Sequence, residues 1–534
     1  MKSTHHARSR PRRVVAAVAA LTATAALAAC SGSSVSAGNK PADSAARRPS
    51  GQVGELLTVG FPAAPPSLDP AKSAGNASIF FSALTYEPLI VINSKGKFEP
   101  GLAESWEYGD HNKTFVLHLR KGVKFSDGSP LTARSVVDYF GYLQTQGGQN
   151  RALFKGDTFA ATGPLQVTIT FDQPNPDIIY NLTQDIMAGE VISPAGLANP
   201  AALGAQSFGA GPYVLSKNET SLGSQYTFVP NPTYYDTSKQ HYKKIVIKII
   251  QSPQSTLQAL QTGQIDMALG DQSTRKAAEA AGFVYPPADV TNNVSVVTLA
   301  DRAGQLVPAL RDVRVRRALN YATDRKAIVD ALFPGNTPTS QVATKGRNGY
   351  DEAGVDAYPH DVAKAKGLLA EAGYAGGFSM DLVTTPTGSQ NLYAQAIAQQ
   401  WKEIGVTVNV VEIANGQAYV KEALSAKYAA FTNNVNIRPI ATLGTNLFLP
   451  QAVYNPFHSD DAALRTLYGQ GLLASGGRKA ELDKQVVRHL TEQAWFVPIV
   501  AQVLPVYVGP KVYGADVTPP MAFPSVYELQ PAKQ

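Results

Sequence analysis

Leu119-Arg120-Lys121-Gly122-Val123-Lys124-Phe125-Ser126-Asp127-Gly128-Ser129-Pro130-Leu131-Thr132-Ala133 continues a strand-like run, Thr114–Arg120, in which apolar and polar side chains alternate. Its centre, Phe125-Ser126-Asp127-Gly128, has turn chemistry: the Asp side chain bonds local backbone and the Gly takes a positive φ. Outward from it lie further strand-like runs, Leu56–Phe61, Leu165–Phe171 and Lys243–Ile250. Helical spacing governs Val313–Phe333, Val362–Ala372 and Leu392–Ile404, with Gly373 and Gly405 placed to close the last two. Strands and helices mix without a repeat period, which implies an α/β or α+β body. At 534 residues the chain is long enough for at least two lobes, each with its own core.

The N-terminus indicates the compartment. Lys2, Arg8, Arg10, Arg12 and Arg13 precede an Ala-rich apolar stretch, Val14–Ala29, the pattern of an export signal. Leu27-Ala28-Ala29-Cys30 resembles the lipobox of bacterial lipoproteins, which implies a lipid on Cys30 as the mature N-terminus. Arg12-Arg13 partly resembles a twin-arginine signal, and the export route stays open between the two systems. Residues 30–54, rich in Ser, Gly, Ala and Pro, are expected to form a flexible tether after a signal peptide over 1–29.

Cys30 is the only cysteine, so disulfides and thiolate metal sites are excluded from the body. The formal charge of +6 includes five basic residues ahead of Cys30 with no acid among them, which leaves about +1 for the rest. The remaining Lys and Arg are dispersed, and nucleic-acid binding is not expected. The chain has no G-x-S-x-G elbow, H-E-x-x-H, P-loop or post-strand G-x-G-x-x-G. His111, His118, His241, His360, His458 and His489 are scattered, without an i, i+4 pair for a metal. No enzyme activity, cofactor or resident metal is expected, although a chelated metal stays open as cargo.

An ordered series of motifs spans the chain. Pro65-Pro66-Ser67-Leu68-Asp69-Pro70, Tyr86-Glu87-Pro88-Leu89 and Pro100-Gly101-Leu102-Ala103-Glu104-Ser105-Trp106 precede the stretch quoted first. Gly209-Ala210-Gly211-Pro212-Tyr213, Asn231-Pro232-Thr233-Tyr234-Tyr235 and Ala259-Leu260-Gln261-Thr262-Gly263-Gln264-Ile265-Asp266 follow it. Asp312-Val313-Arg314-Val315-Arg316-Arg317-Ala318-Leu319, Asp324-Arg325 and Ala365–Tyr374 complete the set. The series resembles family 5 of the bacterial extracellular solute-binding proteins, the peptide, nickel and oligosaccharide receptors.

The resemblance implies an α/β, two-lobed periplasmic-binding-protein-like fold, of the large type with an extra subdomain in the first lobe and two crossing strands. The expected division is lobe I over 55–295 and 497–534, with an inserted subdomain at about 99–186, and lobe II over 296–496. The crossings are expected near Thr291–Leu299 and Phe496–Val503. It further implies a monomer outside the cell membrane that binds a peptide or small molecule by hinge closure and hands it to ABC permease subunits. A receptor for an anionic metabolite, opine, oligosaccharide or metal chelate, or a signalling lipoprotein without transport, is the alternative.

Most of these motifs have plain structural readings. Asp312 and Asp324 read as N-caps, Arg314, Arg316 and Arg317 as a solvated or ion-paired helix face, and Trp106 and Trp401 as core. The candidate ligand residues are Asn292 and Asn293 beside the first crossing and Asn433, Asn434, Asn436 and Arg438 in the Tyr428–Leu449 segment. In peptide-binding relatives a carboxylate from that segment pairs with the ligand's amino terminus, whereas here it holds no Asp or Glu. An ammonium buried there has no counter-charge, and Arg438 suits a carboxylate or phosphate. The expected ligand is therefore a blocked or cyclic peptide, an anionic metabolite or a sugar conjugate. The alternative readings are a solvent-facing turn for Arg438, with a ligand ammonium met by carboxylates or carbonyls elsewhere, and a simple turn for Asn292-Asn293.

Overall fold

The computed structural model describes residues 47–533, leaving out 74–75, 147, 284–290, 437, 520 and 522 and the side chains of 76, 77, 149 and 292. Two six-stranded sheets organise the body. The first runs in the order Val506–Val508, Met267–Leu269, Leu57–Phe61, Ile245–Ile249, Gln225–Pro230 and Tyr213–Leu215. Leu57–Phe61 lies parallel to both neighbours, and all five of its residues are buried, as an interior parallel strand requires. The second sheet runs in the order Thr337–Pro338, Phe496–Val503, Thr291–Leu299, Ala430–Asn436, Phe378–Thr384 and Val406–Glu412. Its last three strands are mutually parallel and the others antiparallel.

A four-stranded antiparallel sheet, Ala103–Gly109, Thr114–Leu119, Gln166–Thr170 and Thr158–Gly163, packs against the helix Ala133–Gln146. Thr114–Leu119 alternates half-buried and buried residues, so one face of this sheet meets the core, as the period-two pattern requires. Separate apolar cores fill this sheet's layer, the first six-stranded sheet and the second.

The expected elements are present with shifted ends. Val313–Phe333 is two helices, Val313–Tyr321 and Arg325–Leu332. The apolar spacing runs through the break because both pack on one core, while Asp324 starts the second helix by accepting from the Ala327 amide at 2.9 Å. Asp312 caps the first by accepting from the Arg314 amide at 2.8 Å. Gly373 and Gly405 take φ of 84° each, past the ends of their helices.

Three expectations change. Residues 47–54, assigned to the tether, lie on the first lobe: the Ser50 amide donates to Pro531 O at 2.8 Å, Gly54 N to His241 O at 2.9 Å, and Arg47 Nη1 to Gly509 O at 2.7 Å. Thr291–Leu299 and Phe496–Val503 belong to the second sheet along their whole length, pairing with each other from Thr291 opposite Val503. The sheets are joined just outside those strands, through Leu504-Pro505 on one side and, on the other, a connection of which residues 270–283 are described. The two links touch, with Gly270 N donating to Pro505 O at 2.7 Å. Arg316 is not on a solvated face: it is 5% exposed and donates to the carbonyls of Leu310, Arg311 and Gln493.

Candidate functional site

Ligands of open α/β sheets bind beyond the carboxyl ends of parallel strands. In the first sheet those ends are Phe61, Ile249 and Leu269, and in the second Thr384, Glu412 and Asn436. Antiparallel pairing brings Thr291 and Val503 to the same end of the second sheet. The joining segments leave from there, so the crevice beside these strand ends is the candidate site. A recess lined by Ser50, Gly54, Tyr242, Asp266 and Pro531 lies elsewhere, where the N-terminal segment crosses the first lobe.

Polar contacts tie the two sides of the crevice together. Lys479 of the helix Gly476–Glu492 stands 3.3 Å from Asp177 on the opposite side and 2.8 Å from Asp483 one turn along its own helix. Burial disfavours the Lys479 ammonium, but Asp177 and Asp483 together raise it above its ordinary value. Asn112 Nδ2 donates to Leu472 O at 3.0 Å and Ala474 O at 3.3 Å, satisfying the carbonyl end of the helix Ala462–Leu473. Asp110, His111 and Asn112 all have positive φ, at 43°, 52° and 66°, a strained hairpin tip held by this contact. Arg347 Nη2 donates to Met521 O at 3.0 Å.

Arg438 follows the strand Ala430–Asn436, half-buried. Burial and the Asp185 carboxylate push the Tyr180 hydroxyl upward, and Arg347 and Arg438 oppose them. Tyr180 belongs to the first lobe's side, so the Arg438 charge acts across the crevice.

The asparagines divide by strand register. Asn436 is opposite Asn293, and Asn434 opposite Ser295, whose hydroxyl donates to Asn434 Oδ1 at 2.9 Å. Directly opposed and alternate residues share a face, so Asn293, Asn434 and Asn436 come together. Asn433 is opposite Val296, on the other face, and is removed from the set by the period-two pleat. The Asn292 side chain and Cys30 lie outside what the structure describes.

Asp177, Lys479, Arg347 and Asn112 carry no motif that marks them, because their meaning comes from the opposite side of the crevice. The family-type motifs instead staple the first lobe. Tyr235 donates to Glu87 Oε1 at 2.7 Å, Thr233 Oγ1 to Phe125 O at 3.0 Å, and Ser126 N to Gly209 O at 2.9 Å. The Arg120 guanidinium lies 4.9 Å from the Tyr235 ring centre. Trp401 is fully buried with Nε1 donating to Thr323 Oγ1 at 3.0 Å.

Residues 97–446 match the family model for the middle region of bacterial extracellular solute-binding proteins, family 5. A probable D,D-dipeptide-binding periplasmic protein, DdpA, of Escherichia coli K12 is 29% identical over 395 residues, covering 68% of this chain and 71% of that one. A dipeptide-binding protein of Pseudomonas aeruginosa is 24% identical over 505 residues, covering 85% and 91%. The crystal structure of the ABC transporter substrate-binding protein CtaP from Listeria monocytogenes superposes with a TM-score of 0.75 at 24% identity, covering 90% of this chain and all of that one. A match over more than half of the chain, on a two-lobed mixed α/β body, shows that the chain belongs to family 5 of the bacterial extracellular solute-binding proteins.

Proposed function

We propose that this protein is the binding component of an ABC importer, anchored outside the cell membrane through lipid on Cys30, that encloses an oligopeptide or peptide-like solute and delivers it to a permease. Binding of peptides or similar solutes follows from the family, whose members here are binding proteins and not enzymes. The finer reading rests on one observation: the segments that join the two sheets lie side by side, with Gly270 N donating to Pro505 O at 2.7 Å. Two such links allow hinge closure, and closure is favoured when a ligand contacts both sides. Within the crevice Asn293, Asn434 and Asn436 meet ligand polar groups and Arg438 meets a ligand carboxylate, supported by the reach of its charge to Tyr180.

Native mass spectrometry of the purified protein, followed by small-angle scattering with and without a tripeptide pool, tests this reading. A retained peptide-like mass and a smaller radius of gyration with ligand are expected. A folded protein that retains no such mass and does not contract with the pool rules it out.

A further inference from the structure

Three carboxamide oxygens at the crevice end of the second sheet are buried and have no hydrogen-bond partner among the described residues: Asn293 Oδ1, Gln390 Oε1 and Gln272 Oε1. Gln272 comes from the first lobe's turn after Met267–Leu269, and its Nε2 donates to Val503 O at 2.8 Å. That bond uses its donor end and leaves the oxygen as the open group. Val503 is the ladder partner of Thr291, next to the pairing of Asn293 with Gln502.

Gln390 begins the helix Gln390–Lys402, which packs on the face of the sheet that carries Asn293. One turn further on, the Tyr393 hydroxyl donates to Val296 O at 3.2 Å, so Gln390 stands towards the crevice end from that point. Gly388, two residues earlier, faces Asn434, whose Nδ2 would lie 3.4 Å from a Cβ placed at that glycine. Gln390 is 6% exposed, and a buried acceptor without a donor costs about 1–3 kcal/mol. Elements from both lobes thus bring acceptor oxygens to one strand end, and Asn293, Ser295, Gln390, Asn434, Asn436 and Gln502 include no ionisable side chain.

Resting on the peptide-binding reading above, we propose that Gln272, Asn293 and Gln390 form the subsite for the ligand's N-terminal end and accept it as a neutral N–H donor. The protein then prefers peptides whose amino group is acylated. Carboxamide oxygens satisfy an amide N–H fully, whereas an ammonium placed there keeps its charge without a counter-ion.

The experiment offers the full-length protein matched pools of free-amine and N-acetylated tripeptides at pH 7, with native mass spectrometry as the readout. The acetylated pool is expected to be retained at least about tenfold more strongly. Asn293→Asp and Gln390→Glu, on separate elements and each checked by thermal melting, supply a carboxylate and are expected to shift the ratio towards the free-amine pool by about tenfold. Equal or stronger retention of free-amine peptides by the wild type, or a ratio unmoved in both folded variants, overturns the proposal while leaving peptide capture intact. Retention of neither pool overturns peptide capture itself, and this subsite with it.

Discussion

Lys479 Nζ lies 3.3 Å from Asp177, across the crevice, and 2.8 Å from Asp483 on its own helix, with all three side chains buried or nearly so. One cation thus bridges two carboxylates, one from each side. Lys479→Met leaves both acids uncompensated, at a cost of about 3 kcal/mol or more. Urea unfolding is expected to show that loss, and scattering of the ligand-free variant a larger radius of gyration than the wild type. A variant as compact and as stable as the wild type excludes a holding role for this contact.

Burial pushes the Asp483 carboxyl up to about 6, against the pull of Lys479. An Asp of the unfolded chain titrates near about 4, so between about pH 4 and 6 the folded state binds the extra proton. Stability contributed by this site therefore falls as pH rises through that window. In paired urea titrations, wild type minus Asp483→Asn is expected to decline by about 2 kcal/mol from pH 4 to pH 6. A difference that is flat or rises over the same range contradicts the burial cause.

Arg438 is expected to discriminate by ligand charge. Arg438→Ala should weaken a peptide with a free carboxyl terminus by about 10- to 100-fold in calorimetry and leave its C-terminally amidated form unchanged. Equal loss for both forms indicates a packing role instead.

Gly209 and Gly211 press against the Thr85-Tyr86 backbone, and a Cβ at Gly209 overlaps Thr85 O and the Tyr86 ring. Gly209→Ala is expected to lower stability by about 3 kcal/mol through displacement of backbone that has no room to move. Far-ultraviolet dichroism during thermal melting measures it. An unchanged melting temperature shows that the segment relaxes freely.

Much of the fold is legible in the chain because its causes are local. Leu57–Phe61 and Thr114–Leu119 declare themselves by periodicity, and Asp312 and Asp324 by the acceptor they offer to the next free amides. The ordered motifs also meet in space: Glu87 accepts from Tyr235, and Gly209 packs against Thr85-Tyr86, within the first lobe.

The site was legible only in part. Of the candidate residues, Asn293, Asn434 and Asn436 share one face of the second sheet and Asn433 takes the other, because register with Thr291–Leu299 decides which face each residue takes. Arg316 reads as a surface charge until the carbonyls of Leu310, Arg311 and Gln493 surround it. By itself the sequence determined the element types, the helix caps and the motif series, since each depends on neighbours along the chain. Only the tertiary structure decided that Lys479 answers Asp177 and that Gln272, Asn293 and Gln390 leave acceptors at one strand end, because those meetings join segments that no local pattern connects.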